Sequence, residues 1–151
     1  MSDDGNGAVR PGRLVPRDDL GAADLALLQQ AELAAARARP LFSGFSVGAA
    51  LRTHDAAEPY LGWNVEDQSL VRVLHAEQAA IVAAIHQEKA VPQITDIAIW
   101  GKGDVPPCGA CRQMIVDYGS SARVLFPYRG GVLIASAADL LPLSFRLDPS
   151  R

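Results

Sequence analysis

Helical and extended patterns alternate along this chain, and that alternation limits its fold more than any other feature. Residues 22–38 (AADLALLQQAELAAARA) are strong helix formers, with Leu25, Leu27, Leu28 and Ala31 favouring one side and Pro40 as the stop. Residues 45–53 alternate Val47, Ala49 and Leu51 at the period of a strand. His54 to Ala57 make a turn, and residues 58–65 return as the second strand of a hairpin. A second helix runs from His75 to Glu88, with so much Ala and Ile in its middle that it must be buried on most sides. Ile94 to Trp100 is a strand, and Cys108 to Tyr118 is a helix stopped by Gly119. Residues 122–127 and 131–135 are short strands, and a last helix over 136–141 is broken by Pro142. The order α-β-β-α-β-α-β-β-α predicts a three-layer α/β/α sandwich around a mixed five-stranded sheet. Residues 1–19, rich in Gly, Pro and Asp, read as a flexible N-terminal tail, and 20–148 as a single domain.

Composition narrows the function. The chain has 151 residues, 49% of them hydrophobic, enough for one buried core and too many for a disordered segment. Its formal charge of −3 and the lack of a basic, aromatic strip argue against nucleic acid as a partner. No apolar run approaches the roughly 18–20 residues of a membrane helix, so no membrane partner is expected. The first twenty residues lack the apolar centre of a secretory signal, which predicts a cytoplasmic protein. The 2 cysteines, Cys108 and Cys111, could close only a tiny loop that stabilises little. Metal or redox chemistry is the better use of a Cys-x-x-Cys in that compartment.

Two short segments carry the chemistry. His75-Ala76-Glu77 and Pro107-Cys108-Gly109-Ala110-Cys111 each open a predicted helix. Together they supply an imidazole, two thiols and a carboxylate. Three nitrogen and sulfur donors with an open fourth position suit a catalytic zinc, whereas a structural site is closed by four protein ligands. Closing this site would need His54 or His86. The latter lies roughly 16 Å along its helix from His75, too far to share an ion. Helix N-termini also favour thiolates. Glu77, two residues past His75, is badly placed to ligate the same ion. It can reach a water and a substrate, which suits a proton shuttle. A Cys-x-x-Cys redox pair is the competing reading, and it leaves His75 and Glu77 unexplained.

The two segments match the pattern H-x-E…P-C-x-x-C of zinc nucleobase deaminases. Over about residues 24–145 the chain resembles the cytidine deaminase family. Residues 43–51 (SGFSVGAAL) look like the family's S-x-F-x-V-G-A-A-L strand, and Asn64-Val65-Glu66 like its N-x-E sugar clamp. His75 to Ile81 looks like its catalytic helix, Pro107 to Gln113 like its P-C-G-x-C-R-Q helix, and Leu140-Leu141-Pro142 with Phe145 is a fainter echo. The resemblance implies zinc on His75, Cys108 and Cys111, with Glu77 carrying a proton to N3 of the ring and then to the leaving amine. It implies that the Ala76 backbone meets the pyrimidine, that Asn64 and Glu66 hold the sugar 3′-hydroxyl, and that Phe45 stacks near the base. Phe145 would reach a site, in this or a neighbouring subunit. The expected partner is a small nucleoside, and the expected assembly a homo-oligomer: a tetramer by chain length, a dimer by the His-type ligand set.

Departures from the family pattern bear on the substrate. Short members mostly carry Cys at the place of His75, with a compensating Arg. Two thiolates and a neutral imidazole balance a dication, so Gln78 can stand where that Arg would. Asp67-Gln68-Ser69-Leu70 replaces the usual N-A-S-Y on the sugar side, and Arg72 is a candidate contact for an anionic substituent. The expected activity is hydrolytic deamination of a cytosine nucleoside. The alternative substrate is a modified aminopyrimidine nucleoside such as an antibiotic of the blasticidin type, and the distant alternative a non-catalytic zinc or redox protein.

Overall fold

The computed structural model describes residues 11–69 and 73–147. Arg72 and the C-terminal boundary at 148 lie outside them. In chain order the elements are β1 (Arg13–Val15), α1 (Ala22–Ala35), β2 (Val47–Thr53), β3 (Tyr60–Trp63), α2 (Ala76–Gln87) and β4 (Ile94–Gly101), then α3 (Gly109–Tyr118), β5 (Arg123–Tyr128), β6 (Gly131–Ser136) and α4 (Ala137–Leu140). The strands form one six-stranded sheet in the order β1-β6-β5-β4-β2-β3. β4 and β5 pair in parallel, and every other neighbouring pair is antiparallel. The α/β class and the mixed sheet are as the sequence predicts, but the strand count is six, not five. The extra strand is β1, inside the stretch read as a tail: Leu14 pairs with Leu133 at the sheet edge, and Val15 is buried.

Strand alternation divides the core into two. On one face Leu27, Leu28 and Ala31 of α1 pack on Ala50, Ala98, Leu125 and Val132. On the other, Ala80, Ile81 and Ala84 of α2 and Ile115 and Val116 of α3 pack on Ala49, Leu51, Ile97, Ile99, Val124 and Phe126. Neighbouring residues such as Ala49 and Ala50 therefore serve opposite layers, as the period of a strand requires. Two glycines let helices come unusually close to the sheet. A Cβ on Gly62 would lie 2.2 Å from the Ala76 carbonyl oxygen and 2.3 Å from the Ala80 nitrogen. One on Gly48 would lie 2.1 Å from the Ala31 oxygen.

The topology gathers the chemistry at one end of the sheet. β3 and β4 both run antiparallel to β2, so they run parallel to each other. Each is followed by a connection and a helix, so α2 and α3 both begin at the same end. β2 runs the other way and starts there. Phe45, just before β2, Asn64, just after β3, and the first residues of α2 and α3 are thereby brought together. Ligand sites of open α/β sheets lie at such ends.

Candidate metal centre and active site

His75 is the N-cap of α2, and Cys108 the N-cap of α3. The His75 backbone N–H donates to Gln78 Oε1 at 3.1 Å, which fixes how the chain enters α2. His75 Nδ1 lies 3.4 Å from Cys108 Sγ and 3.3 Å from Cys111 Sγ. The three donor atoms all fall within 4.8 Å of one another. Bonds of about 2.3 Å to sulfur and about 2.0–2.1 Å to nitrogen put these atoms about 3.5 Å apart on a tetrahedral edge. The donor set therefore fits a zinc ion in size as well as in chemistry. Among the described residues no fourth His, Cys, Asp or Glu joins the group, which leaves it open on one side. His54 and His86 are not part of it.

The position of His75 favours the zinc reading over the redox one, because its ring nitrogen stands within 3.4 Å of both sulfurs, a third donor that a disulfide pair does not use. Burial pushes the Cys111 thiol well up from its ordinary range, and the nearby Glu77 and Cys108 push the same way. A bound dication would offset the charge of its thiolate.

A cavity of about 270 Å³ opens beside this group. Its wall includes His75, Cys108, Glu77, Ala76, Phe45, Asn64 and Glu66. Of the predicted site residues, only Cys111 and Phe145 are not in that wall. Cys111 lies behind it, fully buried. Glu77 is 5% exposed, and burial pushes its carboxyl up against a backbone hydrogen bond, His75 and Cys111, which pull it down. A carboxyl moved upward can hold and release a proton nearer neutrality.

At the far end of the cavity the polar side chains are tied to the chain. Asn64 Oδ1 accepts from the Val47 N–H at 2.8 Å, and its Nδ2 donates to the Phe45 carbonyl at 2.9 Å. Glu66 Oε2 accepts from the N–H groups of Phe42 at 2.7 Å and Ser43 at 3.0 Å, while the Ser43 hydroxyl donates to Oε1. These bonds hold the Glu66 carboxyl below its usual range. Ser43, Val73, Val105 and Pro106 also line the cavity, and the sequence reading gave them no role. Ser43 stood in the quoted strand motif, so its signal was present.

Phe145 is 69% exposed and lies outside this wall. Its backbone is gripped by Gln113, whose Nε2 donates to the Phe145 carbonyl at 2.9 Å and whose Oε1 accepts from its N–H at 3.2 Å. Asp67, Gln68 and Ser69 are exposed and turn back on themselves, the Ser69 N–H donating to Asp67 Oδ1 at 2.8 Å. None of the three lines the cavity. Arg112 donates to two backbone carbonyls, from Nε to Pro107 at 2.7 Å and from Nη1 to Leu140 at 3.1 Å.

Comparison with known proteins agrees with this geometry. Residues 22–127 match the family model described as the cytidine and deoxycytidylate deaminase zinc-binding region. The chain is 33% identical over 125 residues to a cytidine deaminase of Sporosarcina psychrophila, covering 79% of this chain and 88% of that one. It is 35% identical over 123 residues to a cytidine deaminase of Shewanella halifaxensis, of whose length it spans only 38%. The crystal structure of a Burkholderia pseudomallei cytidine deaminase superposes with a TM-score of 0.74 at 35% identity, covering 83% of this chain and all (100%) of that one. That of Mycobacterium tuberculosis gives 0.70 at 31% identity, covering 81% and 96%. The chain is thus a zinc-dependent hydrolase acting on C–N bonds, a member of the cytidine and deoxycytidylate deaminase family.

Proposed function

We propose that the chain hydrolyses the exocyclic C4–N bond of a cytosine nucleoside, cytidine or deoxycytidine, giving the uracil nucleoside and ammonia. The observation that carries this is the placement of Glu77, nearly buried and with its carboxyl pushed upward, in one cavity wall with His75 and Cys108. Zinc on His75, Cys108 and Cys111, when bound, supplies the Lewis acidity that makes water a nucleophile near neutral pH. Glu77 takes one proton from the attacking water and delivers it to ring N3, then takes the second from the new C4 hydroxyl and passes it to the amino group as the C4–N bond breaks and ammonia leaves. The Ala76 backbone orients the pyrimidine, and Phe45 stacks against it. Asn64 and Glu66 have remaining hydrogen-bonding capacity, a second Nδ2 hydrogen and lone pairs of Oε1, for one sugar hydroxyl.

Leu41, 69% exposed, and Phe42, 52% exposed, directly precede the cavity-lining Ser43 in the chain. These support a homo-oligomer in which a second copy covers the opening and brings its own Phe145 across.

The deciding experiment is ammonia release from cytidine, deoxycytidine, cytosine and blasticidin S in parallel. Turnover of the two nucleosides is expected. Turnover of blasticidin S alone would move the substrate to a modified aminopyrimidine nucleoside. Glu77→Ala should retain zinc and lose several orders of magnitude in kcat. Normal turnover by that variant would refute the proton route.

A further inference from the structure

We propose that Arg112 is a positioning residue for the metal centre, bracing the Pro107–Cys108 peptide from the side away from the substrate. The proposal rests on zinc being held by His75, Cys108 and Cys111, and it is independent of which nucleoside is the substrate.

The segment before α3 is a thin partition. Pro106 lines both the substrate cavity and a second cavity of about 260 Å³ that Arg112 shares with Phe126, Tyr128 and Leu140. Val105 and Pro107 are buried on either side of it, but at Pro106 there is open space front and back. Packing alone leaves the partition room to shift. Two hydrogen bonds oppose this: the Val105 N–H donates to the Pro127 carbonyl at 3.0 Å, and Arg112 Nε donates to the Pro107 carbonyl at 2.7 Å.

The second bond acts directly on a ligand. The Pro107 carbonyl and the Cys108 nitrogen belong to one planar peptide unit. Fixing the oxygen fixes that plane, and with it the point from which the Cys108 side chain projects. Arg112 is itself anchored at the other end of its fork, where Nη1 donates to the carbonyl of Leu140, the last residue of α4. Its backbone N–H donates to the Cys108 carbonyl at 2.9 Å, in the first turn of α3. The guanidinium therefore spans from α4 to the ligand's own peptide. Lys, with a single point of charge, cannot hold two carbonyls in that fixed geometry.

The test compares unmodified zinc-loaded protein with Arg112→Lys, Arg112→Leu and Gln113→Leu. Three quantities are read without substrate: the rate of zinc transfer to excess chromogenic chelator, the visible spectrum of the cobalt-substituted protein, and the thermal midpoint of the metal-free protein. Arg112→Leu should release zinc roughly 10–100-fold faster, the usual effect of losing a group that orients a ligand, and should shift the cobalt bands. Arg112→Lys should fall between. Gln113→Leu, which removes the grip on Phe145 and leaves Arg112 intact, should release zinc at the unmodified rate. Unchanged release and an unchanged cobalt spectrum beside a lowered midpoint would make Arg112 a fold residue only and overturn the proposal. Fast release from Gln113→Leu would overturn it too. If Arg112→Leu does not fold, Arg112→Lys decides: release at the unmodified rate refutes the positioning role.

Discussion

Glu66 directs its carboxylate mainly at the chain itself. Three donors from Phe42 and Ser43 reach it, the hydroxyl of Ser43 contributing most to its lowered pKa. A carboxylate whose folded pKa lies below its unfolded value stabilises fully above the unfolded value, roughly pH 4–5. That contribution fades as pH falls through the folded pKa. Glu66→Gln should therefore have a shallower acid limb, the unmodified protein losing its advantage from about pH 5 downward. Urea midpoints across about pH 3–7 read this, and parallel curves for the two proteins would show that the bonds carry no pH-dependent stability. The sequence could name Glu66 and Asn64 because their motif was visible. It could not show that their polar atoms also brace the loop, since all their partners except the Ser43 hydroxyl are backbone groups, those of Phe42, Ser43, Phe45 and Val47. Arg112 stood in the quoted P-C-G-x-C-R-Q segment, but its partners were not legible: both of its acceptors are carbonyls, which leave no trace in side-chain identity.

At the scale of elements, the long periodic segments were legible and the tertiary ones were not. The α2 and α3 helices begin beside their predicted starts, because capping residues, Ala-rich stretches and the Gly119 stop are local signals. β1 was missed because Arg13–Val15 carries no alternation of its own and becomes a strand by pairing with β6. α1 ends at Ala35, before the predicted 38: the Arg37 N–H turns to the Ala34 carbonyl at 3.0 Å, and the Arg37 guanidinium lies 4.2 Å over the Trp63 ring. β2 starts at Val47, not at 45, because the N–H groups of Phe45 and Val47 go to Ser43 Oγ and Asn64 Oδ1. The close approach of α2 to β3 gives a test at this scale. Gly62→Ala places a methyl against the backbone of α2, which has no side-chain rotamer to relieve the clash, so the helix must move, and His75 and Glu77 with it. We expect a loss of about 1–3 kcal/mol in stability together with weaker zinc binding. Gly48→Ala creates the same clash against α1, on the opposite face. It should destabilise comparably and leave the zinc affinity of the folded fraction unchanged. Equal zinc loss in the two variants would show that the effect is general unfolding, not displacement of α2.

Over the whole molecule, a bound metal would join what the sheet only brings near. α2 and α3 are separated in the chain by β4 and meet at their first residues. His75 offers one donor from the first helix, and Cys108 and Cys111 offer two from the second. The unfolded chain holds no such site, so zinc binding adds to folding stability. At a free zinc concentration 100 times the dissociation constant the added stability is about 2.7 kcal/mol. For a chain of this size each kcal/mol raises the thermal midpoint by about 2–4 °C, so chelation should lower it by roughly 5–10 °C. Cys108→Ala should unfold near the metal-free temperature and respond little to added zinc, because two donors remain where three are needed. Calorimetry with and without zinc, on both proteins, makes the comparison. A midpoint that ignores chelation in the unmodified protein would mean that helix packing on the sheet already fixes the two N-termini. In that case the metal would serve the reaction and contribute nothing to the fold.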